Sequence, residues 1–468
     1  MGVKPSRIVF ILIAVSVLAR LVVATRAPLI DDEAYYWLWS RRLDWSYLDH
    51  PPLIAYLIAI TTVSADGPLW LRLGPILTGA ATTYVLFLLG RDLFGSRAGV
   101  LAAALFQVIP VLAGGGLLAT PDSPLFFAWT LALRSAWHAI HGRPRLWMGT
   151  GVAVGVGMLS KLYMVFLPVG LLLFLAVRGR ELLRRWELYA AGVIALAIFT
   201  PVIYWNAVHN WAGVRFILFE RPGGTPTGIR GIIELLVQQL AFVLVLFFAL
   251  VWALVVAWRR RADDAYAFVL WTSLPALLFP FLAAAVTGAP HGNWVGPGYL
   301  GLIIVLGAAW NRVITGLAAA NTALIAYGLL VSFLSFLPLP PGSSDVVGWP
   351  DAARRVRMEL SRAGPGAIVV ADRYQIASQL GYYLGDAVPV TLLPCPHPAS
   401  IWPPPRDFRG ATAITAIDAR WSFAVDWKRF FATVEEASPV IVRDRGQEVR
   451  SFRIFRLSEL RPPTCASW

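Results

Sequence analysis

Three adjacent acids open the run Asp31-Asp32-Glu33-Ala34-Tyr35-Tyr36-Trp37, and Asp49-His50-Pro51-Pro52 follows shortly after. Carboxylates beside aromatic rings at a bilayer exit are costly to desolvate, and a plain connecting loop has little use for three of them. A carboxylate near an apolar boundary holds its proton more readily, which suits a general base that takes a proton from an acceptor hydroxyl or amine. Asp32 and Glu33 are the candidates for that role. In the alternative reading, Asp31 and Asp32 only cap a helix that starts at Glu33 and carries Tyr35, Tyr36 and Trp39, a task for which one acid suffices.

Asp49 and His50 admit two readings. The prolines behind them suit an interfacial turn that stops one helix and starts the next. The pair is also suited to a phosphate or a divalent metal, although two ligands are too few to define a metal site. Lys161 is one of three lysines in the chain, with Lys4 and Lys428. It either snorkels to the headgroups or clamps a lipid phosphate. Arg215 and Arg221, near Trp211 and Phe216, offer the same choice, with phosphate favoured by the planar, permanently charged guanidinium.

The elements that must position these residues are membrane helices. Of 468 residues, 57% are apolar and 14% charged, with a mean hydropathy of +0.64, values far from those of a soluble domain. Apolar runs long enough to cross ~30 Å of hydrocarbon fall near 8–24, 69–90, 98–116, 123–140, 188–206, 231–258, 265–287, 294–310 and 313–338. The first follows Lys4 and Arg7 and reads as a retained anchor, because no small-residue cleavage site precedes the acids. The run from Leu146 to Val177 is broken only by Ser160-Lys161, and at ~1.5 Å per residue it is too long for one ordinary helix.

Loop charge decides how to count that run. If it is a hairpin of two helices, every Arg-rich connection falls on one side: Arg91 and Arg97, Arg143 and Arg145, 178–185, 259–261, and Arg312. The positive-inside rule makes that side cytoplasmic. About eleven helices are therefore expected, with the N-terminus inside and the C-terminus outside. The net charge of +13 then reads as topology and anionic-lipid contact, with no nucleic-acid role. The same count puts the first loop (25–68), 120–124, the Lys161 tip, 206–230 and 291–294 together on the external face, and a site built from several external loops explains that coincidence.

Near Pro338–Pro341 the hydropathy falls, dividing a membrane domain (1–340) from a small α/β domain (341–468) outside the membrane. Strands are expected at 367–371, 388–393, 440–442 and 452–455, with a helix over 375–384. Cys395 and Cys465, the only cysteines, would face an oxidising compartment there, where they could pair.

There is no nucleotide-binding Gly-rich loop in a strand–turn–helix context, no zinc motif and no nucleophile elbow. The first loop, through Leu43-Asp44-Trp45-Ser46-Tyr47-Leu48-Asp49-His50-Pro51-Pro52-Leu53, resembles that of bacterial GT-C glycosyltransferases of the protein mannosyltransferase and aminoarabinose transferase (PMT/ArnT-like, family 39) kind. Thr120-Pro121-Asp122-Ser123-Pro124-Leu125, Gly157 to Lys161, Trp205 to Trp211, Asn293 to Tyr299 and Asp372 to Ser378 are similar to further parts of it in the same order. Aminoarabinose transferases carry Glu-Lys-Pro where this chain has Asp49-His50-Pro51, a departure that brings it nearer the mannosyltransferase-like branch.

The resemblance implies a polytopic helical GT-C fold in a bacterial inner membrane and an inverting transfer on the periplasmic face. The donor is a polyprenyl-phosphate sugar and the acceptor an envelope lipid A, another glycan or a protein. Asp32 takes the place of the base. Tyr35, Asp49, His50, Asp122, Lys161, His209, Arg215, Arg221 and Asn293 become substrate-binding candidates. No obligatory cofactor is implied, and a divalent metal at Asp49/His50 is the sole metal candidate. A lipid-linked sugar flippase is the competing reading. Such proteins display pseudo-repeats and mid-membrane charges, whereas this chain has no duplicated segment and carries its acids at an edge. A non-catalytic scaffold leaves the one-sided cluster of Asp32, Asp49, His50 and Lys161 unexplained.

Overall fold

A computed structural model describes residues 4–220, 228–288, 291–333, 346–421, 426–444 and 446–461. Its helices, in chain order, are α1 (Pro5–Arg26), α2 (Asp31–Ser40), α3 (Leu53–Thr61), α4 (Pro68–Phe94), α5 (Ser96–Val108), α6 (Pro110–Gly115), α7 (Asp122–Ile140), α8 (Leu146–Ser160), α9 (Phe166–Arg178) and α10 (Trp186–Val208). They continue as α11 (Ala212–Arg215), α12 (Ile229–Val243), α13 (Leu246–Arg259), α14 (Asp264–Thr287), α15 (Gly296–Ala308), α16 (Arg312–Phe333), α17 (Trp349–Ala363) and α18 (Tyr374–Leu384).

By length and apolarity, α1, α4, α10 and α14 are each able to cross a membrane, and α12 with α13 makes a fifth if that bent pair is one span. The pair spans the run read as one crossing, 231–258. It is instead two helices at 108°, because Leu244 adopts a left-handed φ of 58° and the freed amide of Leu246 is taken by Asn321 Oδ1 at 3.3 Å. The 98–116 run is likewise divided at Pro110, whose missing N–H makes it a natural helix start.

Glycines bring the helices close. A Cβ on Gly151 of α8 would sit 2.4 Å from the Ala191 carbonyl oxygen of α10, and one on Gly307 of α15 would sit 2.4 Å from that of Ala98 in α5. Small residues at such crossings allow backbone-to-backbone packing where the solvent itself is apolar. The 146–177 run is divided into two helices, and Lys161 is the break: its extended backbone (φ −155°, ψ 131°) separates α8 from a 3-10 turn at Leu162–Val165 that leads into α9.

The boundary expected at 340/341 lies outside the described residues. Beyond it, a five-stranded mixed sheet is formed by β1 (Ile368–Ala371), β2 (Val390–Leu392), β3 (Ala413–Asp418), β4 (Phe431–Asp444) and β5 (Gln447–Leu460) in the order β2-β1-β3-β5-β4. Strand β1 pairs in parallel with β2 and β3, and β5 runs antiparallel to both its neighbours. The expected strands at 440–442 and 452–455 are parts of the long β4 and β5, while α17 and β3 were not anticipated. Cys395 is disulfide-bonded, and Cys465 lies outside the described residues.

One apolar core joins this domain to the first loop. Leu29, Tyr35, Tyr36, Trp37, Leu38 and Trp39 pack in the same cluster as Trp349, Ile376, Ala377, Leu380 and Trp402. The α2/α18 contact is close: the rings of Trp37 and Tyr382 meet edge to face at 5.1 Å, and a Cβ on Gly381 would touch Leu38 at 3.2 Å. The first loop and the C-terminal α/β domain are therefore a single packed unit.

Candidate active site

The three acids at the start of α2 have three different neighbours. Asp31 Oδ1 accepts from Gln379 Nε2 at 2.8 Å, and Asp32 Oδ1 accepts from the Tyr374 hydroxyl at 3.1 Å. Glu33 is fully buried against Arg72, whose Nε and Nη2 donate to it at 2.8 and 2.6 Å. It also accepts from the amides of Ala119 at 3.0 Å and Ile30 at 3.2 Å, while Arg72 donates onward to the carbonyls of Ala27 and Pro28. With its lone pairs so engaged, Glu33 ties the first loop to α4 and to the turn before α7. Of the two acids considered for proton transfer, Asp32 is the one that keeps some exposed surface.

That buried pair has a measurable consequence. In Glu33→Gln the Arg72 charge stays buried without its counter-ion, at a cost of about 3–5 kcal/mol, so the apparent melting temperature in detergent is expected to fall sharply. The double variant Glu33→Gln/Arg72→Met should recover most of the loss, which thermal unfolding of the three proteins side by side will reveal.

The loop after α2 returns past Tyr47, whose amide donates to the His50 carbonyl at 3.2 Å, and presents Asp49 and His50 before Pro51 and Pro52 start α3. Tyr35 is buried and hydrogen-bonded through its hydroxyl to Asp49; burial first, and then the Asp49 charge, push its phenol well above the usual range, so it is a lasting donor. The Tyr374 ring lies 5.3 Å from that of Tyr35, and Trp402 stacks on Tyr35 at 6.1 Å. Asp32, Tyr374, Tyr35 and Asp49 thus form one connected group, and the His50 ring lies 6.3 Å from Tyr36.

Asp49 and His50 also line a cleft of about 540 Å³ with Lys161 and His291. The rest of its lining is mostly apolar, with Tyr163, Phe166, Ile217, Phe279, Val286 and Trp294 among it. Lys161 is 6% exposed, and its ammonium donates to Asp122 Oδ1 at 2.7 Å; the amide of Asn293 holds the other oxygen at 2.9 Å. The turn carrying Asp122 is fixed by the Ser160 hydroxyl on the Pro121 carbonyl at 2.5 Å. Segments far apart in sequence therefore meet at one cleft: the first loop, the α8/α9 break, the stretch after α11, the C-terminal part of α14 and the turn before α15, with the start of α7 behind Lys161.

Arg215 ends α11, which follows two left-handed residues, Asn210 and Trp211. Its Nε is buried without a hydrogen-bond partner among the described residues. The segment lies against the first loop, since a Cβ on Gly213 would be 3.3 Å from the Leu48 carbonyl, and Ile217 reaches the cleft. Arg221 lies outside the described residues. His209 is stacked on Trp205 at 4.2 Å and bonded to the Trp205 carbonyl, and Trp205 in turn donates to Asp44 at 2.8 Å, so this His belongs to the joint between α10 and the first loop.

Sequence reasoning missed Tyr374, Trp402, His291 and Tyr163. Tyr374 is 342 positions from the acid it touches, and no local pattern carries that information. Among the described residues no three His, Cys, Asp or Glu side chains gather as a metal-binding group, and Asp49 and His50 remain a pair.

Residues 49–205 match the family model described as dolichyl-phosphate-mannose-protein mannosyltransferase. A lipid A galacturonosyltransferase, RgtD, of Rhizobium johnstonii is 28% identical over 371 residues, 76% of this chain and 78% of the relative. An undecaprenyl phosphate-alpha-4-amino-4-deoxy-L-arabinose arabinosyl transferase of Pseudomonas fluorescens is 24% identical over 368 residues, 70% of this chain and 63% of that protein. In fold, the chain superposes on apo ArnT from Cupriavidus metallidurans with a TM-score of 0.69 over 95% of this chain and 97% of the other, at 16% identity. The same enzyme bound to undecaprenyl phosphate gives 0.67.

Proposed function

We propose, from the premise that the chain is a membrane glycosyltransferase of the PMT/ArnT kind, that it moves a sugar from a polyprenyl-phosphate donor onto an envelope glycolipid of the lipid A class at the external face of the membrane. The observation that carries this reading is the cleft itself, in which a buried lysine, two histidines and an aspartate meet an aromatic and aliphatic lining. A phosphate joined to a long isoprenoid needs that combination of cation and apolar wall. The names of the two relatives support the donor and acceptor classes, and they favour transfer over flipping.

In this reading Lys161 faces the donor phosphate, with His50 and His291 as further cationic or hydrogen-bonding groups lining the same cleft and Arg215 offered from the neighbouring α11. The acceptor oxygen or nitrogen attacks the anomeric carbon opposite the phosphate, its proton passes to Asp32, and the anomeric carbon–oxygen bond breaks to release polyprenyl phosphate with inversion. Negative charge grows on the departing phosphate, so a positive charge fixed in a low-dielectric cleft lowers the barrier at that moment. Asp122 and Asn293 hold Lys161 in place, and Tyr35 holds Asp49. About eleven crossings, with the outer domain and the site periplasmic, complete the arrangement; the one-sided Arg clusters support it.

Purified protein incubated with a panel of undecaprenyl-phosphate sugars and lipid A should yield lipid A heavier by one sugar residue in mass spectrometry, which also identifies the sugar. Movement of intact donor across vesicle bilayers with no product would point to the flippase instead.

A further inference from the structure

We propose that Tyr374, from the outer domain, is a positioning residue for the base Asp32, so that the outer domain completes the active site. The inference rests on the glycosyltransferase reading above. Tyr374 is the first residue of α18 and its hydroxyl donates to Asp32 Oδ1 at 3.1 Å. Its ring is held on Tyr35 at 5.3 Å, and Tyr35 is in turn pinned by its hydrogen bond to Asp49 and by Trp402 stacked at 6.1 Å with an interplanar angle of 11°. Gln379, further along α18, donates to Asp31 Oδ1 at 2.8 Å and to the Leu29 carbonyl at 3.1 Å, which fixes the start of α2 against the same helix. Asp32 is therefore oriented by a side chain that arrives 342 positions later in the chain.

The arrangement has a chemical use. A carboxylate with some open surface rotates among several rotamers, and only those aimed at the acceptor transfer a proton productively. A hydroxyl donating to one of its oxygens biases the rotamer, and with it the direction in which the carboxylate is presented. Tyr374 stays protonated in this role, because burial and then the charge of Asp32 push its phenol well above the usual tyrosine range. Its ring is partly exposed, at 37%, so an acceptor is able to approach Asp32 past it.

Tyr374→Phe removes the hydroxyl and keeps the ring packing. The expected result is a fall in kcat on the order of tenfold, the size of one charge-assisted hydrogen bond, with donor KM and apparent melting temperature unchanged. A merely structural tyrosine at the domain junction behaves differently: its loss lowers the melting temperature, or reduces the active fraction with kcat per active site intact. Either pattern, or wild-type kinetics, overturns the inference. Tyr374→Ala serves as the control for lost packing and should lose both kcat and thermal stability. If the wild-type protein itself transfers no sugar, the functional reading fails; if it does and Tyr374→Phe matches it, only the positioning role fails.

Discussion

Asp32→Asn is expected to reduce sugar transfer by about 10²–10⁴-fold while leaving donor binding and thermal stability close to wild type. The reasoning begins with what the substitution keeps. Asn is nearly isosteric, and its carbonyl oxygen still accepts the Tyr374 hydroxyl, so the contact between α2 and α18 survives. Asp32 is also partly exposed, unlike Glu33 in its sealed pair with Arg72, so neutralising it is far less costly to the fold. What is lost is the basicity that the acceptor proton requires. The measurement is a single-turnover rate beside a direct binding assay with polyprenyl phosphate. Full activity in the variant would refute the assignment of the base, and loss of binding would move Asp32 into the donor site.

How much of this was legible in the sequence follows from the range of the interactions concerned. The break at Lys161 within 146–177 was readable because a lysine interrupting two apolar stretches is a local signal. The 108° bend between α12 and α13 was not. It turns on Leu244 at a positive φ, rare for a branched aliphatic residue, and on an asparagine from α16 that satisfies the freed, buried amide of Leu246. At the site, the acids at 31–33 stand out as a group, but dividing their labour required partners. Glu33 becomes part of the scaffold through Arg72 and the amide of Ala119, whereas Asp32 meets a tyrosine hydroxyl of the C-terminal domain, and nothing in the triplet itself separates the two. His209, a polar residue in a matched segment, has a structural partner that the segment alone does not disclose. Its neighbour Trp205 supplies both a stacking face and a backbone acceptor, and the ring is used to lock a helix end.

Lys161 permits a sharper test than simple deletion. Its ammonium is buried beside Asp122, so Lys161→Met removes a positive charge from the cleft and at the same time leaves a buried carboxylate supported by Asn293 alone. Loss of activity in that variant therefore has two physical causes, and the stability cost of the stranded charge is about 3–5 kcal/mol. The double variant Lys161→Met/Asp122→Asn separates them. It buries no net charge, the substituted amide is still within reach of Asn293, and the melting temperature should return most of the way to wild type. Transfer should nevertheless stay down by about 10²–10³-fold, because the lysine no longer meets the charge that develops on the leaving phosphate. If stability and turnover recover together, Lys161 is a structural partner of Asp122 and the phosphate must be held elsewhere, with Arg215 the next group to change. If stability recovers and turnover does not, the ion pair is a cation oriented by its own carboxylate, ready for the anion that the cleft receives.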